Sequence, residues 1–303
     1  MSTGFTGFTG LSAFPLTPIT DDAVDERAFA ALVRRLAAAG VDSIGALGST
    51  GSYAYLSREE RARAARVAVQ HADGTPVVVG IGALRTPHVL EAAEDAQNAG
   101  AAGVLLAPMS YQRLTDDDVF GLYEDVSAYL SVPLVVYDNP GTTHFTFTDE
   151  LYARVAALPR VASIKIPGVP ADPQAARDRV QRLRQLLPDT VTVGVSGDAF
   201  AATGLNAGCD AWYSVIAGTF PEPALTITRA ARSGAPDRAR AESERLQPLW
   251  DLFARHGSLR VVAAAAAHLA LTPPHNLPRP LRGLPPEART EVAEVLDQLG
   301  LSA

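Results

Sequence analysis

Glu26-Arg-Ala-Phe-Ala-Ala-Leu-Val-Arg-Arg-Leu-Ala-Ala-Ala-Gly40-Val-Asp-Ser-Ile-Gly-Ala-Leu47 begins as a helical run, stops at a glycine and resumes as a short strand. Glycine takes the left-handed backbone that ends a helix at little steric cost. The same junction recurs at Ala99-Gly100-Ala-Ala102 and at Ala207-Gly208-Cys-Asp210. Working outward, β-rich runs fall at 11–14, 43–47, 77–81, 103–107, 134–137, 162–166, 191–195 and 211–216. Between them lie helical stretches rich in Ala, Arg and Glu, among them 26–39, 58–71 and 88–98. Ser57-Arg-Glu-Glu60 and Thr115-Asp-Asp-Asp118 read as helix starts, a capping hydroxyl followed by acids in the first turn. Eight strands alternating with helices predict an α/β fold closed as a (β/α)8 TIM barrel. An open nucleotide-binding sheet would want a Gly-rich turn after its first strand, and Phe14-Pro-Leu-Thr-Pro-Ile19 is not one.

The last strand leaves a long C-terminal segment with helical pattern at 239–256, 259–270 and 286–299. These stretches predict appended C-terminal helices, with 1–235 as the catalytic barrel and 236–303 as an extension packed on it. Pro273-Pro-His-Asn-Leu-Pro-Arg-Pro280 reads as a stiff connector.

Hydrophobic residues make up 47% of the 303, enough for a large core, and the net charge is −7. No basic stripe is present, which argues against a nucleic-acid partner. The arginines alternate with acids, as in Arg58-Glu-Glu-Arg-Ala-Arg63, the pattern of a solvated helix face. Cys209 is the single cysteine, so no disulfide framework is expected and a reducing, cytoplasmic setting fits. Met1-Ser-Thr-Gly-Phe-Thr-Gly-Phe-Thr-Gly10 lacks the basic and apolar regions of a secretory leader. The longest apolar run, 261–267, is far short of a membrane span.

Against that background one residue stands out. Lys165 is the only lysine among 26 Lys and Arg residues, and it lies in the apolar segment Val161-Ala-Ser-Ile-Lys-Ile-Pro167. Arginine replaces lysine as a surface charge, but a guanidinium stays protonated and cannot act as an amine nucleophile. Strand alternation puts Ser163 and Lys165 on one face and the two isoleucines on the other. The isoleucines suit the helix side, so the amine points into the barrel mouth, where burial disfavours a charged amine. In water only about one lysine in 2,500 is a free amine at pH 7, and desolvation is one way such nucleophiles are activated.

Two neighbouring segments supply partners. Pro133-Leu-Val-Val-Tyr-Asp-Asn-Pro140 puts Tyr137 at the end of the fifth strand, where a phenol can pass protons to and from a carbinolamine. After the second strand, Gly48-Ser-Thr-Gly51 offers successive backbone N–H groups as a nest for a carboxylate, with two hydroxyls. Thr50 is placed to relay a proton to Tyr137.

These pieces resemble the dihydrodipicolinate synthase/N-acetylneuraminate lyase family of class I, Schiff-base-forming barrels, over about 11–271. The likeness rests on Gly48-Ser-Thr-Gly51 with Leu56-Ser-Arg-Glu-Glu-Arg61, on Tyr137 with Pro140-Gly141, on Ile164-Lys165 and on Ser196-Gly-Asp198. It implies that Lys165 forms an imine with a 2-oxo acid such as pyruvate, with no other cofactor and no metal. Tyr137 would shuttle protons, Thr50 would link the relay, and the Ser49 and Thr50 amides would hold the carboxylate. Gly197 and Tyr213, at the last two strand ends, join Thr142 as substrate-binding candidates. Tyr111 matches a tyrosine that family members lend across a dimer interface, so a homodimer or homotetramer is implied.

Two positions depart from the family pattern. Ser52 stands where the usual acid follows the Gly-rich turn, and Thr142 where the diaminopimelate-pathway synthase carries an arginine for its second substrate. Replacing a bidentate cation by a hydroxyl forfeits on the order of 1.5–3 kcal/mol of charge-assisted hydrogen bonding. The expected activity is therefore a pyruvate-type lyase or synthase with an altered acceptor site. A Schiff-base dehydratase or decarboxylase of a sugar-derived oxo acid is the closest alternative, and a non-catalytic oxo-acid-binding barrel is one of another class. Metal-dependent aldol chemistry is disfavoured because His71, His88, His144, His256, His268 and His275 show no ligand spacing.

Overall fold

The structure, a computed structural model, describes residues 8–302. Residues 1–7, read above for a leader pattern, and Ala303 lie outside the described residues. Eight parallel strands close on themselves: β1 Gly10–Ala13, β2 Ser43–Ala46, β3 Val77–Gly80, β4 Gly103–Leu106, β5 Leu134–Tyr137, β6 Val161–Ile166, β7 Thr192–Val195 and β8 Ala211–Ser214. β8 pairs with β1 through Leu11↔Trp212, and β1 with β2 through Ala13↔Ile44. The predicted barrel is the observed one.

Helix ends follow the local chemistry. Ser57 and Glu60 form a reciprocal capping box, as do Thr115 and Asp118. Each capping side chain contributes about 1 kcal/mol. Gly40 caps the helix Glu26–Ala39 in the left-handed region at φ 77°. One expected helix divides, because 239–256 is two helices, Pro236–Arg245 and Gln247–His256. Pro248 has no N–H to continue the first, and its ring would clash with the preceding turn.

The apolar residues sort by strand alternation into two shells. Outward-facing Ile44, Val79, Leu106, Val136, Ile164, Val193 and Trp212 meet the helices in the main core. Inside the barrel a smaller cluster gathers Phe14, Val78, Leu105, Val135, Tyr137, Ala211 and Tyr213. A third cluster packs Val262, Ala263 and Ala266 of the helix Ser258–His268 onto Leu16 and Leu32. Asn276 locks the connector beside it, its Nδ2 donating to Ala263 O at 2.9 Å and its carbonyl accepting from Ile19 N at 3.1 Å.

Space inside the barrel comes from glycine opposite large rings. A Cβ on Gly45 would sit 2.3 Å from the Phe14 ring, and one on Gly194 would sit 2.2 Å from the Tyr213 ring. Phe14 and Tyr213 meet edge to face at 6.1 Å and form a floor beneath the mouth.

Candidate active site

Lys165 and Tyr137 are register partners on β6 and β5. A register shift between Leu134 and Val135 sets this, because Leu134 faces Val161 whereas Val135 faces Ser163. One residue of β6 is skipped, as in a β-bulge, and every pair above it is matched. Both side chains are 5% exposed. The Lys165 Nζ lies 3.8 Å from the centre of the Tyr137 ring and 5.3 Å from that of Phe14. On its other side Lys165 faces Gly194, which adds no side chain.

Above the amine the phenol is the hub of a polar cluster. The Tyr137 hydroxyl donates to Ser49 Oγ at 3.2 Å and accepts from Asn139 Nδ2 at 2.8 Å. Asn139 Nδ2 also lies 3.5 Å from Ser49 Oγ. The hydroxyl that meets the phenol is Ser49's, one residue before the Thr50 expected there. In this turn Ser49 is half-buried and Thr50 is buried. The turn closes through Ser52 N donating to Ser49 O at 3.0 Å. Leu47, Ser52 and His144, in the two loops that build the mouth, all have positive φ, at 57°, 54° and 56°. Non-glycine residues held in that region are strained, and such strain gathers at functional sites.

The remaining expected residues are spread more widely. Tyr213 is buried and its hydroxyl shares a 2.7 Å hydrogen bond with Ser163 Oγ, two residues before Lys165. Burial pushes this phenol up, and its ring forms part of the floor with Phe14. Gly197 has φ 76° and begins the turn after β7. Its neighbour Asp198 is buried and accepts from Trp212 Nε1 at 3.0 Å, Ser214 Oγ at 3.1 Å, Val215 N at 3.2 Å and Ile216 N at 2.8 Å. The Ser196-Gly-Asp198 signature thus pins the end of β7 to that of β8. Thr142 is exposed in the short turn Pro140–Thr143, its hydroxyl donating to Asn139 O at 3.3 Å. Tyr111 is 91% exposed in the single chain.

Two residues that the sequence reading passed over belong to this site. Asn139 follows Tyr137 by two positions, so the same alternation that aimed the phenol, carried one step past the strand, aims the amide as well. Asp138 takes the opposite face and accepts from Tyr152 Oη at 2.5 Å, while its Oδ1 has no partner among the described residues. Burial pushes its carboxyl up to about 6, against the opposing pull of Tyr152, Arg179 and Lys165. Asp138 N also donates to Lys165 O at 3.1 Å, joining the two strand ends.

A cavity of about 400 Å³ opens elsewhere, on the outer wall of β3, lined by Tyr53, Arg58, Arg61, His88 and Met109. Lys165, Tyr137 and Ser49 do not line it.

A buried amine packed on the ring of a phenol, whose hydroxyl meets a serine and an amide at the C-terminal mouth of a barrel, is equipped to condense with a carbonyl and move the protons involved. The pattern of the dihydrodipicolinate synthetase family matches residues 7–299, nearly the whole chain. The chain belongs to that family. Relatives include the 4-hydroxy-tetrahydrodipicolinate synthase of Chlorobium limicola, 30% identical over 287 residues and covering 93% of either chain. That of Hyphomonas neptunium is 34% identical over 230 residues, 74% of this chain and 75% of that one. Among solved structures, dihydrodipicolinate synthase from Agrobacterium tumefaciens superposes with a TM-score of 0.92 at 46% identity, covering 96% of this chain and 98% of that chain. As a member of the dihydrodipicolinate synthetase family the chain is a class I, lysine Schiff-base enzyme of the lyase and synthase type, the covalent imine standing in for an external cofactor. No helix among the described residues is long and apolar enough to cross a membrane.

Proposed function

We propose that this protein condenses the Lys165 amine with pyruvate or a closely related 2-oxo acid and uses the resulting enamine in carbon–carbon bond formation or cleavage. The observation that carries this reading is the burial of the sole lysine with its Nζ 3.8 Å from the ring of Tyr137. The amine adds to the C2 carbonyl to give a carbinolamine, whose hydroxyl leaves as water once it receives a proton. Tyr137 and Ser49 form the route for that proton, and the amides of Ser49 and Thr50 are suited to the substrate carboxylate. The protonated imine then draws electrons from C3; loss of a C3 proton gives the enamine, which adds to an aldehyde.

The acceptor half is read as altered. Thr142 and Asn139 present neutral hydrogen-bonding groups where a carboxylate-bearing acceptor would call for a cation, which favours an aldehyde without a carboxylate there, such as a hydroxylated one. The same reading makes the protein cytoplasmic, divided at about residue 235 into barrel and extension, and assembled as a homodimer or homotetramer in which the exposed Tyr111 completes a neighbour's pocket.

Borohydride trapping tests the proposal. Incubation with pyruvate and reduction should add one lactyl-sized mass to the intact protein, and Lys165→Ala and Lys165→Arg should both abolish it. Wild-type protein that stays unmodified would exclude pyruvate imine chemistry.

A further inference from the structure

We infer that Asn139 is a positioning residue that sets the direction of proton transfer through Tyr137, holding the phenol oxygen so that its proton is delivered to Ser49. The inference rests on the Schiff-base reading of Lys165 and Tyr137. An amide NH2 can only donate. With Asn139 Nδ2 at 2.8 Å, the Tyr137 oxygen serves as acceptor there and turns its own O–H to Ser49 Oγ at 3.2 Å. The chain of donors then runs one way, Asn139 to Tyr137 to Ser49. The Ser49 hydroxyl proton is left to point at whatever occupies the mouth.

The loop is built to hold this amide. The Asn139 carbonyl accepts from Thr142 N and Thr143 N, each at 3.0 Å, and from the Thr143 and Thr142 hydroxyls at 3.0 and 3.3 Å. Four donors on one oxygen fix the backbone from which the side chain reaches Tyr137. Thr142 thus has a task in this chain beyond any contact with an acceptor. The titratable groups around the relay are Lys165 on β6, packed on the Tyr137 ring, Tyr53, which interacts electrostatically with Tyr137, and Asp138, next in the chain but on the other face.

The proton inventory closes. When the carbinolamine loses its hydroxyl, Ser49 gives that hydroxyl a proton and water leaves. Ser49 recovers a proton from Tyr137, so a protonated imine and a phenolate remain. The Asn139 N–H donates to that phenolate and stabilises it. The phenolate then takes the C3 proton of the protonated imine, giving the neutral enamine and restoring the phenol.

The test compares Asn139→Leu and Asn139→Asp with wild type in the rate of borohydride-trapped pyruvate adduct across about pH 5 to 8, with thermal melts to verify folding. Asn139→Leu should slow trapping at saturating pyruvate roughly 10- to 100-fold, the worth of a hydrogen bond to a charged oxygen, with half-saturating pyruvate unchanged. Asn139→Asp has nearly the same shape but donates only when protonated. Its rate relative to wild type should be as low as that of the leucine variant at pH 8 and should rise several-fold toward pH 5, whereas a merely structural role predicts a flat ratio. Trapping of Asn139→Leu at the wild-type rate, or a flat ratio for Asn139→Asp, would overturn the inference. Failure of the wild type itself to trap pyruvate would instead remove the reading on which it rests.

Discussion

Tyr137 and Lys165 stand side by side on neighbouring parallel strands, and a skipped residue in β6 makes them so. Without the register shift below Val135, the phenol would pair with Ile164, whose side chain faces the helices. Lys165 would then stand beside Asp138, past the end of β5, instead of an aromatic ring.

That pairing makes the Tyr137 hydroxyl separable from its ring. Tyr137→Phe keeps the wall against which Lys165 packs and removes only the proton carrier. Turnover of any 2-oxo acid substrate should fall roughly 100-fold or more, the usual worth of a positioned acid–base group. Thermal melting should move little, and a variant that keeps wild-type turnover would show that protons travel by another path.

The acceptor side gives a gain-of-function experiment. Aspartate semialdehyde, which carries a carboxylate, should be turned over poorly by the wild type. Thr142→Arg should raise kcat/KM for that aldehyde roughly 10-fold or more by supplying the charge-assisted partner. Efficient use of the aldehyde by the wild type would show that Thr142 does not govern the choice.

Asp138 predicts a pH dependence of stability. Its folded-state pKa of about 6 lies above the ordinary aspartate value of 3.8, so the fold favours the protonated form. Its contribution is fully present below about pH 4 and is lost as pH rises through 6. Asp138→Asn keeps an acceptor for Tyr152 and carries no charge. Melts from pH 4 to 8 should show the variant gaining about 2–3 kcal/mol over wild type at the alkaline end and nothing at pH 4. Parallel curves would show that the carboxylate is compensated when ionised.

Asp198 predicts the opposite response to the same change. Burial pushes its carboxyl up to about 6, yet four donors converge on its two oxygens and favour the ionised form. Asp198→Asn would set an NH2 against donors and leave at least one unpaired. Chemical denaturation should report a loss of about 2–4 kcal/mol. A neutral result would mean that the turn after β7 tolerates rearrangement.

Much of this was legible in the chain by itself. Strand alternation placed Lys165 and Tyr137 on inward faces, the repeated Ala-Gly junctions marked helix ends, and capping hydroxyls marked helix starts. These are local properties, set by backbone geometry over two to four residues. Extending the same period-two rule past β5 would have reached Asn139.

What tertiary structure alone decided is how separate segments meet. The skipped residue in β6, the choice of Ser49 over Thr50 as the phenol's partner and the retreat of Tyr213 to the floor all depend on contacts between strands distant in the chain. So does the division of labour between Asp138 and Asp198, two buried carboxylates whose residue type is the same. Registers and hydrogen-bond partners are chosen by packing around the closed barrel, which no single segment encodes, whereas the direction a side chain takes from its own strand is settled within a few bonds.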